Sequence, residues 1–492
     1  MGESSARTAD RNGGRAHEVL AGLLLFILAG LFLGAAAVRR LNFDEALALR
    51  SGWLLLGHIP AAPPFCMPFT LALGSLARTL DDPGTVLLAA RLAVAAVVLA
   101  ALVGSLVRIS GVRLASLATV LTLMQAAFFV HGLEFRYDAA LLVALLVAWV
   151  CLVKATAADF AVLGASVTWL AAHHLKGVFL ALAIYLFALV RARRDRRRLV
   201  RLHGGAGAVL AAWLIVLLAL RLVPEASAVY TSFLGVALRT EIRLWPWESL
   251  GDAFGRDAVW WMAAVAAGAW TARKLARSEP SKRQSSPELW AAALAAVSLG
   301  FQLFHPHPWA YMLALPAPFL AFLMALAWKE AQARTRALVA VALAAVLGAQ
   351  APAGRRLPGS VLAPSFEASR QPQVDALRLL RRLAKPNEKT LDPSGLAYFL
   401  PPCTPEWYID SLFREGARKG VWMNSMKSLD AAECPWLVST YRLEMFPYVV
   451  KARISAGYVL KPGGLGLARG DERLRRPELW PSTGPLVLES FW

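Results

Sequence analysis

Charged residues are scarce in this chain, and acidic ones scarcest: 17% of the residues are charged, and 33 Asp and Glu stand against 52 Lys and Arg. With 57% hydrophobic residues, that shortage excludes an ordinary soluble globular domain and a disordered acidic chain. Cysteine is nearly missing too, at 4 residues. No CxxC pair, no His/Cys cluster at zinc spacing and no Walker or Rossmann glycine pattern occurs, so no metal or nucleotide fingerprint is present. No internal repeat of 20 to 50 residues marks a solenoid.

Long apolar runs take the place of these features. A membrane span needs about 20 mostly apolar residues. About eleven segments qualify on that measure: 18–38, 86–107, 114–132, 138–153, 157–173, 177–190, 204–223, 256–271, 287–304, 309–328 and 336–351. The expectation is a polytopic α-helical membrane protein. The formal charge of +19 would suit nucleic acid, but the basic residues lie in short loops between spans, which favours a topological role and no nucleic-acid partner. Arg7, Arg11 and Arg15, then Arg108 and Arg113, Lys154, the run RARRDRRRLVR (191–201), ARKLARSEPSKR (272–283) and Lys329, Arg334 and Arg336 fall on one side, with Arg39 and Arg40 as a mild exception. The positive-inside rule puts that side and the N terminus in the cytoplasm, and an odd span number puts the C terminus outside.

A composition shift near residue 352, in the Pro, Gly and Ser-rich APAGRRLPGSVLAPSFEASRQPQ, marks a boundary between a membrane domain (1–351) and an outer domain (352–492). In the latter, VDALRLLRRLAKPNEKT (374–390) has helical spacing, and GLAYFL (395–400), PWLVSTY (435–441) and GYVLKPGGLGLARG (457–470) read as strands between turns. A small α/β domain is expected there. Cys403 and Cys434 lie in this oxidising compartment, where they either pair as a disulfide or stand as two buried thiols.

On this topology the outer loops collect ionisable groups. The first outer loop (39–85) opens with Asp44 and Glu45; the loop after the third span carries Glu134, Arg136 and Asp138. His173, His174 and Lys176 follow the fifth span, and His305 and His307 precede Tyr311 in HPHPWAYMLALPAP (305–318). Ionisable groups beside hydrocarbon are costly, so their gathering marks a functional site. Plainer roles compete: Asp44 as a cap of an interfacial helix over DEALALRSGWLLLGH, Arg136 and Asp138 as a local ion pair, the histidines as interfacial side chains, and the prolines near 306 as turn formers.

The order of these pieces resembles the GT-C superfamily of membrane glycosyltransferases. The closer likeness is to the family 39-like branch of protein O-mannosyltransferases and lipid A aminoarabinose transferases. The resemblance rests on NFDEALALRSGWLLLGHIPAAPPF with Pro68 behind it, EFRYDAALL (134–142), HHLKGVFLALAIYLFALV (173–190) and HPWAYMLALPAPFLAFLMALAW, and covers roughly 18–330. It implies interfacial helices in the first outer loop and transfer of a sugar from a polyprenyl-phosphate donor to an acceptor lipid, glycan or protein, with inversion, at the outer face of the cytoplasmic membrane. Asp44 is then the general base, with Glu45 second or orienting it. Arg136, Lys176 and the histidines hold the departing phosphate, Asp138 binds sugar hydroxyls or Arg136, and Tyr311 belongs to the substrate site. The resemblance names no certain cofactor and leaves a divalent cation open. The chain departs from the family at Phe65-Cys66-Met67-Pro68, where relatives carry a charged residue before the proline. That departure keeps an inactive relative in envelope assembly open, beside a lipid or solute transporter, although a transporter would set its charges near the bilayer midplane.

Overall fold

The computed structural model describes residues 22–23, 25–39, 41–59, 67–173, 175–227, 251, 254–255, 257–304, 310–331, 370–403, 433–446 and 448–488. It is a polytopic helical membrane protein. Every expected span but one coincides with helix: α1 (Leu25–Val38), α4 (Pro83–Ser110), α5 (Val112–Leu123) with α6 (Ala126–His131), α7 (Tyr137–Lys154), α8 (Ala157–His173), α9 (Leu175–Ala192), α10 (Arg196–Ala219), α11 (Ala258–Arg277), α12 (Pro287–Phe304) and α13 (Ala317–Glu330). The segment 336–351 lies outside the described residues. Among those residues, α4, α7 and α10 are each long and apolar enough to cross a membrane alone. The loop after the first span carries helices, as expected: α2 (Phe43–Leu56) and α3 (Met67–Thr79).

The chain divides into two compact units. One comprises Met1–Ala37, Arg91–Leu214 and Ala237–Ser365; the other comprises Val38–Ala90, Ile215–Val236 and Phe366–Trp492. In the first, the third expected span is broken. α5 stops at Met124, and Gln125 accepts the Phe128 N–H at 2.6 Å to start α6. Asp257 fixes the break, its Oδ2 accepting the Ala126 N–H at 2.7 Å and the Gln125 amide at 3.3 Å. A helix broken inside apolar surroundings needs such partners for its exposed backbone groups. Trp149 of α7 anchors the packing with its ring edge-on to Phe319 and Phe322 of α13, centroids 5.4 and 4.8 Å away. Between α8 and α10 the backbones touch: a Cβ on Gly164 would run into the Leu202 carbonyl, and one on Gly205 into that of Ala161. Small residues at such crossings let membrane helices pack closely.

In the second unit the C-terminal segment builds α14 (Gln371–Leu383), β1 (Thr390–Leu391), β2 (Trp436–Val438), α15 (Tyr448–Gly457), β3 (Tyr458–Lys461) and β4 (Leu465–Ala468). The sheet order is β1-β2-β4-β3, with β1 parallel to β2 and the other pairs antiparallel. A core of Leu391, Leu437, Phe446, Val450, Ile454 and Tyr458 closes around Cys434, which is disulfide-bonded to Cys403 with Cα atoms 5.6 Å apart. GLAYFL (395–400) is not a strand. Asp392 captures the backbone there, its Oδ1 accepting from the Ser394 and Gly395 N–H groups and its Oδ2 from that of Ala397, at 3.0, 3.0 and 2.6 Å. An Asp that hydrogen-bonds the following backbone this way enforces a turn.

A second clasp holds the far side of the sheet. Arg473 grips Glu388 with both terminal nitrogens at 3.0 Å and Asp471 at 2.6 and 2.9 Å, and lies 4.8 Å over the Trp436 ring. The guanidinium holds Asp471 below the usual carboxylate range. For Glu388, burial pushes upward, but hydrogen bonds from Arg473, the Lys385 backbone and Trp436 outweigh it and leave the carboxyl low. With both folded values depressed, this clasp stabilises fully above the unfolded-state pKa of about 4 and loses its contribution as pH falls through the lowered values. Thermal melts of the wild type should therefore fall steeply in acid below that point, and Arg473→Gln should flatten this part of the profile. Parallel profiles for the two proteins would contradict the account.

Candidate active site

The first unit contains one dense group of buried charges. Arg136 is the residue before the first turn of α7, in extended conformation (φ −102°, ψ 159°), because the tight turn from Glu134, with the Arg136 N–H on the Glu134 carbonyl at 2.8 Å, delivers the chain into the helix. Its guanidinium carbon lies 3.6 Å over the Tyr311 ring centroid. One terminal nitrogen is 3.4 Å from Glu134 Oε2 and the other 3.4 Å from Asp138 Oδ2. Lys176, one residue into α9, completes the group. Its ammonium donates to the hydroxyls of Tyr137 and Tyr311 at 2.9 and 3.0 Å and stands 3.5 Å from Asp138 Oδ1. Glu134 also meets His131 Nδ1 at 3.0 Å.

All of these side chains except that of His131 are buried, Arg136 at 3% and Lys176 at 4% exposure. Burying an ion costs several kcal/mol unless partners surround it, and here two carboxylates offset two cations while the tyrosines add hydroxyls. A site of this composition can hold an anion such as a phosphate, since guanidinium, ammonium and phenol are all donors and both cations are already desolvated.

Of the residues expected from sequence, Arg136, Asp138, Lys176 and Tyr311 meet here. Glu134, seen in the sequence as part of the same loop, joins them. His131 and Tyr137 went unselected; Tyr137 sits between Arg136 and Asp138 in the sequence, and a tyrosine between two charged residues at a span end was the available signal. His173 is buried on α8, its Nδ1 hydrogen-bonded to the Trp169 carbonyl at 2.9 Å and its ring 4.2 Å from the Trp169 ring. His174, His305 and His307 lie outside the described residues. Among the described residues no three His, Cys, Asp or Glu side chains gather to hold a metal ion.

Asp44 and Glu45 belong to the second unit and begin α2. A capping box fixes that helix start: the Asn42 side chain accepts the Glu45 N–H at 2.9 Å, and Glu45 Oε2 accepts the Asn42 N–H at 3.1 Å. Glu45 is fully buried in this role. The cap is thus complete without the Asp44 carboxylate, which stands half-buried in the first turn.

No family model matches the chain, and no curated protein matches it by sequence. Solved structures do. The fold is of the GT-C type. The chain is similar to the crystal structure of ArnT from Cupriavidus metallidurans in the apo state, at 15% identity over 92% of this chain and 98% of that one, with a TM-score of 0.57. It is similar also to the same protein bound to undecaprenyl phosphate, at 16% identity over 95% and 89%, with a TM-score of 0.51. The archaeal oligosaccharyltransferase of Archaeoglobus fulgidus in the apo form matches at 13% identity over 86% and 70%, with a TM-score of 0.48.

The charge balance of the cluster makes a stability prediction. Lys176→Met should cost about 3 kcal/mol, because it leaves Asp138 buried with one cation fewer, whereas Lys176→Met with Asp138→Asn should be less destabilising than the two single changes summed. Chemical denaturation of the purified protein in detergent measures the cycle, and additive losses would show that the pair does not interact.

Proposed function

We propose that the chain is an inverting glycosyltransferase that moves one sugar from a polyprenyl-phosphate carrier to an acceptor nucleophile at the outer face of the cytoplasmic membrane. The observation that carries this reading is the buried group of Arg136, Lys176, Tyr137 and Tyr311 in a chain of GT-C fold. A structure similar in fold over 95% of this chain binds undecaprenyl phosphate, and that anion matches the donor set here.

In the reaction the bond between the sugar C1 and the carrier phosphate oxygen breaks as the acceptor oxygen or nitrogen bonds C1 from the opposite face. The acceptor loses its proton to a general base, and Asp44, half-buried in the first turn of α2, takes that role. Glu45 acts on Asp44 by fixing the first turn of α2, not by sharing the proton, since neighbouring helix residues do not face each other. The polyprenyl phosphate leaves as an anion, and Arg136 and Lys176, with the tyrosine hydroxyls, stabilise the charge it gains. Asp138 keeps both cations in position. The membrane domain over 1–351 would then hold the carrier, with the domain over 352–492 outside.

Mass spectrometry of polyprenyl-phosphate sugars and envelope glycans in cells with the wild type, Asp44→Asn or no protein tests the proposal. A lipid-linked sugar should accumulate at least tenfold in both the null and Asp44→Asn cells, and one glycan should lose the same sugar mass. Identical pools in all three would overturn the enzymatic reading; accumulation in the null alone would remove Asp44 as the base.

A further inference from the structure

The second unit contains a cleft of about 480 Å³ between the first outer loop and the C-terminal segment, apart from the residues given roles above. Its volume lies in the ordinary range for small-molecule sites. Trp53 of α2 forms one wall, with the Arg78 guanidinium 4.6 Å over its ring. Phe399, from the turn that Asp392 shapes, forms another, with Arg381 of α14 5.6 Å over its ring and the Tyr398 ring edge-on at 5.2 Å. The remaining polar lining is Arg381, Lys385 and Asn387, the last held in the left-handed region (φ 68°) by the turn that ends α14. Among the described residues no carboxylate lines the cleft. Two acids touch its lining residues: Asp81, fully exposed, binds a single nitrogen of Arg381 at 3.1 Å, and Glu388, held by Arg473, accepts the Lys385 backbone N–H at 3.0 Å.

This combination selects a ligand chemistry. Flat, half-buried aromatic rings accept the apolar C–H face of a sugar, while a guanidinium and an ammonium recognise a carboxylate or phosphate carried on it. The Asn387 amide offers a donor and an acceptor to ring hydroxyls. Both aromatic walls are braced by cations, so little ordering is needed on binding. We propose that the cleft binds an anionic glycan, a run of sugars bearing carboxylate or phosphate groups, and that this glycan is the acceptor. The acceptor assignment rests on the glycosyltransferase reading; the binding does not.

The test uses the full chain in detergent, titrated calorimetrically with tetragalacturonate and with the neutral maltotetraose. Tetragalacturonate should bind at least fivefold more tightly, and both Lys385→Glu and Phe399→Ala should weaken it at least fivefold. Lys385 is exposed, so its replacement leaves folding intact, and undecaprenyl phosphate binding should stay unchanged in that variant. Equal binding of the two tetrasaccharides, or unchanged binding in Lys385→Glu, would overturn the proposal. So would displacement of tetragalacturonate by a short-chain phosphatidylglycerol at lower concentration, which would make the cleft a lipid site. Identical lipid-linked sugar pools in wild-type and null cells, with tetragalacturonate binding intact, would leave the site standing and remove only the glycosyltransferase reading.

Discussion

A single buried ion pair ties together chain segments 342 residues apart. Arg50 of α2 and Asp392 are both wholly shielded from water, with Arg50 Nη1 3.1 Å from Asp392 Oδ2 and Nη2 on the Leu400 carbonyl at 3.2 Å. Burial pushes the Arg50 guanidinium down to about 10, and the charge of Asp392 only partly opposes that shift. Such a pair is poor evidence for net stability but strong evidence for a fixed arrangement, because loss of either partner strands the other. Asp392 is already committed to shaping the turn at 394–397, so the same carboxylate sets the local backbone and the docking of α2. Weaker contacts follow the same seam. Gln373 hydrogen-bonds both backbone groups of Leu41 at 2.8 and 3.2 Å, and Arg378 binds Asp82 through two nitrogens at 2.6 and 2.9 Å.

The consequence for chemistry is that the helix carrying Asp44 is not a free interfacial helix. It is capped by Asn42 and Glu45 at its start, packed on α3 where Gly52 and Gly74 bring two backbones into contact, and pinned through Arg50 to Asp392 of the C-terminal segment. A general base is effective only if held near its productive geometry, and these three restraints would hold the proposed base, Asp44. The folded region after residue 370 therefore has a positioning role toward α2 whatever else it binds.

Much of this was legible in the residues, and the failures are informative. Apolar run length located the spans because a helix is the structure that satisfies its own backbone hydrogen bonds in lipid. Length could not locate the break at Gln125, since its cause is Asp257, 132 residues away. Similarly, Arg136 and Lys176 announced themselves as charges beside hydrocarbon, whereas Tyr137 did not, because an aromatic at a span end is ordinary. Of the two adjacent acids, Asp44 is the one the sequence offers as a helix cap, but the capping box is built by Asn42 and Glu45. The segment 395–400 has the apolar content of a strand, but Asp392 supplies hydrogen bonds to its backbone before a neighbouring strand can.

The chain reaches a GT-C fold at only 15 to 16% identity to the solved structures it resembles in fold, which shows how little of the sequence the architecture dictates. Apolar runs of sufficient length accept many substitutions. Groups buried with charge do not, because each obliges a partner elsewhere: Arg50 requires Asp392, Arg136 and Lys176 require Glu134 and Asp138, and Arg473 requires Glu388 and Asp471. These obligations reach between distant segments and act within each unit separately. The chemistry assigned to Arg136 and Lys176 depends on the same constraint, since cations kept dry by internal carboxylates can meet an incoming phosphate without first shedding water.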